Sequence, residues 1–392
     1  MLNRFLERPK VTSLGPEISE KVFSLLKVSP EENDNLRIMD STPEDDLILI
    51  HYLDVNPKVR DVRGIVIDTE AGKVVARSFP FTEEYTTDFD LSDLPLNENC
   101  QITRAHEGTI IRLFQGKNTK RWYMSTHKKI NGYRSRWSGL TFGEMFESVW
   151  GDAKFEDYLK SGYCYVFLLS HTDNRLVCRV KEPCMHHVQT FDSNMKVVFE
   201  GLKKPHPKVK DRDVIKSAIL AKDLGQLAEN LSWENYSGLL ITEYQNQEIV
   251  NCWKITPVEY SLKRGIRGNE PNLRLRYYEL RQTPGSFTTQ DIQNLFPEKT
   301  SVFDDAEKQL KKVLPFLAEK YTSRYREGQF YMLPKEVHIT LEKTRQKYDP
   351  RIKLEDNIRN SLNECTGHQL NAVIRFMIQE KRLLAESKTC KE

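Results

Sequence analysis

No stretch of the chain approaches the roughly 20 consecutive apolar residues that a membrane-spanning helix needs, and the opening MLNRFLERPK lacks the apolar run of a secretory signal. Its 392 residues contain no G-x-S-x-G elbow, no lysine-ended phosphate loop and no G-x-G-x-x-G fingerprint. The seven cysteines are scattered and never spaced C-x-x-C, which reads as reduced thiols of an intracellular, cytoplasmic protein with no membrane partner. No repeat recurs at periods of about 20–50 residues, against a solenoid or propeller. With 18 Gly and 17 Pro the chain is neither collagen-like nor of low complexity.

What is present is an uneven charge. The formal net charge is only +3, yet residues 1–100 hold 11 Lys/Arg against 20 Asp/Glu, while residues 104–137 hold nine Lys/Arg against the single Glu107. A near-neutral total thus conceals a basic block, the electrostatic footprint of a phosphate-bearing partner. Within it Arg112, Lys117, Lys120, Arg121, Lys128, Lys129, Arg134 and Arg136 are interleaved with Trp122, Tyr123, Tyr133 and Trp137. Cations neutralise phosphates and aromatic faces stack on bases, so the block is a candidate nucleotide or single-strand surface, with Lys128, Lys129, Arg134 and Arg136 as candidate RNA contacts. A hairpin with aromatics inward and cations outward has the same composition. Two further basic stretches, 203–216 and 254–281, carry the composition of solvated faces.

Hydrophobic patterning divides the chain. Residues 1–60 are acidic, with a predicted helix over 17–26 and an apolar run at 47–53. From 62 to 255 short runs rich in Val, Ile and aromatics predict strands at 62–68, 73–79, 108–114, 121–126, 164–170, 175–180, 196–200, 238–244 and 248–255. Helices are predicted at 142–151 and at 213–231, the latter from Val214, Ala218, Ala221 and Leu224. Beyond 285 the segments 304–325, 334–348 and 354–384 are long, charged and helically periodic, and Pro284–Gly285 marks a hinge. The pattern predicts an α+β fold: an acidic segment (1–60) packed on a core (61–282), followed by an all-α domain (286–392). Cys178, Cys184, His186 and His187 cluster in sequence but match no zinc spacing. His106 and His127 are candidate acid–base groups that nothing in the sequence sets beside a nucleophile.

Taken in order, five segments resemble the covalent nucleotidyltransferase superfamily and, within it, the phage-type ATP-dependent RNA ligases. VRGIVIDTEAGKVVARSFPF (62–81) resembles the leading strand pair whose arginine, here Arg63, contacts the nucleotide. ITRAHEGTIIRLF (102–114) resembles motif I, K-x-D/E-G, and VFLLSHTDNRLV (166–177) the motif III region, in which Phe167 holds the aromatic position. YSGLLITEY (236–244) resembles motif IV, and WKITPVEYSLK (253–263) motif V. The resemblance covers half the chain. It implies a core of antiparallel, ATP-grasp-like sheets, nucleotide contacts from Arg63, Glu107, Gly108, Arg112, Phe167 and Lys254, and ATP with Mg²⁺ as cofactors. In that family a C-terminal helical domain sets RNA preference; the resemblance permits the same role for the helices beyond 286, and nothing in their residues demands it.

The departures bear on chemistry. The family's motif I lysine attacks the α-phosphate of ATP, a step that needs an amine, and Ala105 stands in its place. The motif III and IV glutamates fall on Leu168 and Ser237, and the second motif V lysine on Thr256. One engineered substitution would leave the other motifs intact; four positions changed together read as the loss of a catalytic apparatus, and the missing carboxylates also weaken a Mg²⁺ site. The sequence therefore predicts an RNA-ligase-like protein without catalysis, a nucleotide- or RNA-binding or structural module with a viral or host protein partner. The alternative is an active RNA ligase or nucleotidyltransferase whose motif I lysine has been replaced. The segment from Trp122 to Phe146 also resembles ligase-like proteins of large DNA viruses, which implies a cytoplasmic or virion-associated setting.

Overall fold

A computed structural model describes residues 12–137, 139–216, 220–283, 285–329 and 332–389; Ala218 and Pro284 lie outside the described residues. Five antiparallel strands, neighbours in chain order, make the first sheet: β1 (Thr12–Ser13), β2 (Leu36–Thr42), β3 (Leu47–Tyr52), β4 (Arg63–Asp68) and β5 (Lys73–Ala76). β6 (Glu83–Thr86) and β7 (Cys100–Ala105) open a second sheet. The chain leaves it to build a third from β8 (Thr109–Gln115), β9 (Trp122–Ser125), β10 (Cys164–Ser170), β11 (Cys184–Phe191), β12 (Val197–Val198) and β13 (Val209–Lys210). It then returns with β14 (Gly238–Gln245) and β15 (Glu248–Thr256). The second sheet runs β6-β15-β14-β7 and the third β12-β11-β10-β8-β9, with β13 on β11. Every pairing is antiparallel except β15 with β6 and β11 with β13. The expected α+β architecture with antiparallel sheets and a helical C-terminal region is what the chain adopts.

Strand alternation decides which residues reach the site, because neighbours along a strand face opposite sides. In the third sheet Ile111, Leu113, Tyr165, Phe167 and Leu169 face the helix Phe142–Trp150 and pack on Phe146 and Trp150. Phe114, Cys164 and Val166 share a cluster with Leu47, Leu49 and Val66 of the first sheet, and Ile110 packs against it. In the second sheet Leu239, Ile241, Trp253 and Ile255 pack on Leu91, Leu224 and Ala228. That leaves the even-numbered residues of β14 for the opposite face.

Buried Arg112 on β8 joins the first and third sheets: its guanidinium donates to the Gly64 carbonyl on β4 and to the Thr126 carbonyl after β9. Burial lowers its pKa to about 10, so it stays charged at neutral pH. Around it the backbones run close. Gly64 has φ +68°, and a Cβ there would lie 2.4 Å from the His127 carbonyl oxygen. The Arg-Gly pair at 63–64 thus has a local reason: the glycine lets the two backbones meet, and the arginine beside it takes the free side.

Several sequence expectations differ from the structure. Residues 175–180 form no strand, because the amides of Leu176, Val177 and Cys178 donate to the Glu107 carboxylate instead of to a ladder. Among the described residues, the helix expected over 213–231 forms at Leu224–Glu229: Arg104 N–H bonds Asp213 O and Ile215 N–H bonds Ile102 O, so its first residues pair with β7. β11 forms where the sequence pattern predicts no strand, because its polar Cys-Met-His-His start hides the alternation. The expected helix 354–384 is two, Leu354–Asn363 and Gly367–Thr389, because Gly367 seats against the Glu279 backbone, where a Cβ would lie 2.6 Å from its nitrogen. The chain forms two compact units that divide between Leu262 and Lys263, ahead of the expected 282–286 boundary. The reason is local: Gln282 donates to the carbonyls of Leu362 and Cys365 at 2.7 and 3.0 Å, which ties the helix Leu273–Gln282 to the C-terminal helices. Among the described residues no helix is long and apolar enough to cross a membrane.

Gly64→Ala is expected to cost at least about 2 kcal/mol, from the left-handed φ and the close carbonyl together. A lower urea midpoint at an unchanged slope is the measurement that checks it.

Candidate functional site

A cavity of about 520 Å³ lies between the second and third sheets, a volume typical of small-molecule sites. Alternation supplies its walls: Gln101, Thr103 and Ala105 from β7; Leu240, Thr242 and Tyr244 from β14; Lys254 from β15; Ile110, Leu168, His186 and Val188 from β8, β10 and β11. Arg63 enters from the end of β4, and Ser237 immediately before β14. Five positions chosen by motif order in sequence, Arg63, Ala105, Leu168, Ser237 and Lys254, therefore line one cavity. It is open around Ala105: Leu168 sits in the wall and does not fill it.

Its charges are unevenly satisfied. Arg104 is paired with Asp213 at 2.7 Å, and Tyr236 donates to the other oxygen of that carboxylate at 3.2 Å. Arg212 donates only to neutral acceptors, Tyr244 Oη at 2.9 Å, Gln101 Oε1 at 3.0 Å and Gln189 Oε1 at 3.3 Å. Arg63 donates to the Pro80 carbonyl at 3.4 Å, and Lys254 Nζ lies 5.4 Å from the Tyr260 ring centre. Arg63, Arg212 and Lys254 thus present charge without a carboxylate partner among the described residues, as an anionic ligand requires. The histidines here are held neutral. Burial, then the nearby Arg63 and Arg112 charges, push His127 well below its ordinary value, and its Nε2 lies 2.8 Å from Ser78 Oγ. Burial, then His106, lowers His186 to about 3; the two rings stack at 3.7 Å.

Other candidate residues lie elsewhere. Glu107 is buried and faces away from the cavity: it accepts from three backbone N–H groups and, at 2.7 Å, from Tyr260 Oη. Gly108 lets the chain pass Leu169, whose carbonyl oxygen would be 2.4 Å from an added Cβ. Arg112 is spent on two carbonyls, and Phe167 is on the helix-facing side of β10, one residue out of phase with Leu168. None of the four lines the cavity. Arg134 pairs with the buried Asp40 at 3.3 Å, Lys129 is half-buried, and Lys128 and Arg136 are exposed; none of these lines it either. Cys184 and His186 approach at 3.7 Å, whereas His187 faces the opposite side of β11 and Cys178 the Glu107 carboxylate, so the four do not converge.

No family model matches the chain. It is 26% identical over 313 residues to the "Immediate-early protein ICP-46 homolog" of Invertebrate iridescent virus 3, covering 74% of this chain and 66% of the relative. To the protein of the same description in Invertebrate iridescent virus 6 it is 24% identical over 338 residues, covering 79% of this chain and 70% of that one. The chain thus spans about two thirds of the length of these viral relatives. Among solved structures it is similar to an archaeal ATP-dependent RNA ligase in two forms, at 10% identity with TM-scores of 0.42 and 0.41, over 88% and 76% of this chain and 98% and 82% of those. Overlap that loose says nothing of individual side chains, so the chemistry of the site rests on its own residues.

Arg104, Arg212, Asp213, Glu84, Gln101 and Tyr244 also line the cavity and were not singled out in the sequence. Arg212 and Asp213 sit in a stretch whose composition is that of a solvated face. The usable signal was the polar Gln101 and Thr103 alternating with Ile102 before Ala105, a strand with one polar face.

Glu107→Ala is expected to cost about 3–5 kcal/mol by stranding several buried donors, with Glu107→Gln recovering part of it; chemical denaturation reads both. The neutral histidines set the sign of the pH dependence. The unfolded chain binds protons as pH falls through the ordinary value of 6.5, while the native His186 and His187, lowered to about 3 and about 4 by burial, do not. Stability therefore rises with pH between about 4 and 6.5, and His187→Asn flattens that slope in urea midpoints taken across the range.

Proposed function

We propose that this chain is an RNA-ligase-like nucleotide-binding protein that holds its ligand without forming a covalent intermediate. The single observation that carries the reading is the convergence on one cavity of Arg63 and Lys254 with Ala105, Leu168 and Ser237. Two cations that suit phosphates are present, while the position from which an amine would attack ends in a methyl group. Arg212 adds a third cation, and Ile110, Leu168, Val188 and Leu240 supply apolar wall for a base.

ATP fits these residues by charge and volume; a dedicated Mg²⁺ site does not. The lining carboxylates are Glu84 and Asp213, and both oxygens of Asp213 are engaged. Mg²⁺ is usually held through one or two carboxylates together with waters and substrate phosphates; positions 168 and 237 supply no carboxylate, which leaves Glu84, among the described residues, as the one lining carboxylate not already engaged. With viral relatives, the chain's setting is proposed to be the infected cell or the virion, and its ligand an adenine nucleotide or an RNA end.

The full chain is expected to bind ATP reversibly, with Arg63→Ala and Lys254→Ala each weakening it about tenfold in equilibrium binding. With α-labelled ATP and Mg²⁺ or Mn²⁺, no label should survive denaturation on the protein. An acid-labile adduct would overturn the reading, and its mapping to Lys254, the one lysine lining the cavity among the described residues, would establish the catalytic alternative.

A further inference from the structure

Beside the cavity, a second hollow of about 830 Å³ shares two of its lining residues, Gln101 and Tyr244. Its lining includes Phe199, just after edge strand β12 and 59% exposed. An exposed phenyl ring is ordinary on a surface; this one is held. It meets the Tyr244 ring edge-on at 5.2 Å, and the Arg212 guanidinium carbon lies 6.0 Å from its centre. Tyr244 accepts a hydrogen bond from Arg212 at 2.9 Å, so the three side chains form one fixed group. Arg212 and Tyr244 line the cavity, which puts Phe199 one side chain away from it.

We propose that Phe199 is a stacking platform for the base that follows the nucleotide held in the cavity, so that the ligand is the end of a single strand and not a free mononucleotide. This rests on the cavity binding a nucleotide. The platform combines the two parts that single-strand recognition uses, an aromatic face that accepts any base and a cation beside it that tracks the backbone. Among the described residues Arg212 has only neutral hydrogen-bond partners, so its charge is available to the phosphate linking the two nucleotides. Gln101 and Tyr244 border both hollows, so the two lie one side chain apart.

The test compares ATP with labelled adenine hexanucleotides, RNA and DNA, on the full chain and on Phe199→Ala and Phe199→Trp. An exposed ring can be removed without unfolding the core, and the unchanged ATP affinity of the variant verifies this. Phe199→Ala is expected to weaken the hexanucleotide about 5- to 100-fold and ATP less than twofold, and Phe199→Trp to restore binding. Weaker binding of RNA alone assigns an RNA end; equal loss on DNA assigns single strands in general. A hexanucleotide that binds no tighter than ATP, or one indifferent to Phe199→Ala, overturns the platform and leaves the cavity reading standing. Hexanucleotide binding that depends on Phe199 with no ATP binding overturns the cavity reading and leaves the platform.

Discussion

The buried guanidinium of Arg112 is the interaction on which the arrangement of this chain depends. Its charge is never given up to a carboxylate; it is shared between the carbonyls of Gly64 and Thr126, one on the first sheet and one on the third. Burying a cation is costly unless its donors are satisfied, so the geometry of those two carbonyls is fixed by the need to satisfy it. From that constraint follow the left-handed Gly64, the approach of the His127 backbone, and the exit of Arg63 toward the cavity. The same charge also helps to keep His127 neutral. A cation that sequence reading offers as a ligand contact is instead the reason that another cation can be one.

The uneven charge of the sequence has an internal answer as well. Part of the acidic first hundred residues faces the basic block directly. Asp40 accepts the Ile130 amide at 2.9 Å and pairs with Arg134; Asp45 accepts the amides of Asn118 and Thr119 and, at 2.6 Å, the Tyr123 hydroxyl; Lys117 pairs with Glu70 at 3.0 Å. Carboxylates of the first sheet thus organise the turns of the third. Much of what resembles a phosphate footprint in composition is spent inside the molecule, and the cations left facing the cavity without a carboxylate partner among the described residues, Arg63, Arg212 and Lys254, come from three separate segments outside that block. Composition counts charges, whereas binding depends on which of them lack a partner.

The legible part of the sequence was the part governed by local rules. Strands such as 164–170 and 238–244 declare themselves by β-branched and aromatic runs, and the helix expected at 142–151 is found at Phe142–Trp150, where a Thr141–Glu144 capping box starts it. Motif order also brought five residues to one cavity. What could not be read was the phase of each strand relative to that cavity: Phe167 and Leu168 are neighbours, and only the packing of the third sheet on its helix decides which of them faces the ligand. Nor could sequence show that the apolar run 175–180 would give its amides to Glu107, a carboxylate some seventy residues earlier. Both failures are tertiary choices between two locally acceptable conformations.

On the proposed reading, the departures at 105, 168 and 237 make physical sense only together. In the motif pattern the chain resembles, an amine faces two carboxylates, and a bound metal offsets their charge against the phosphates. Removing the amine alone would leave carboxylates repelling any triphosphate or RNA end in a site of low dielectric, where such repulsion is strongest. With a methyl, an isobutyl and a hydroxymethyl group at the three positions, that source of repulsion is absent; of the carboxylates that remain in the wall Asp213 is paired with Arg104, which leaves Glu84 against Arg63, Arg212 and Lys254. On that reading loss of catalysis and retention of binding would be one change in electrostatics, with the three cations taking over the balance of charge that a metal gives in the motif pattern.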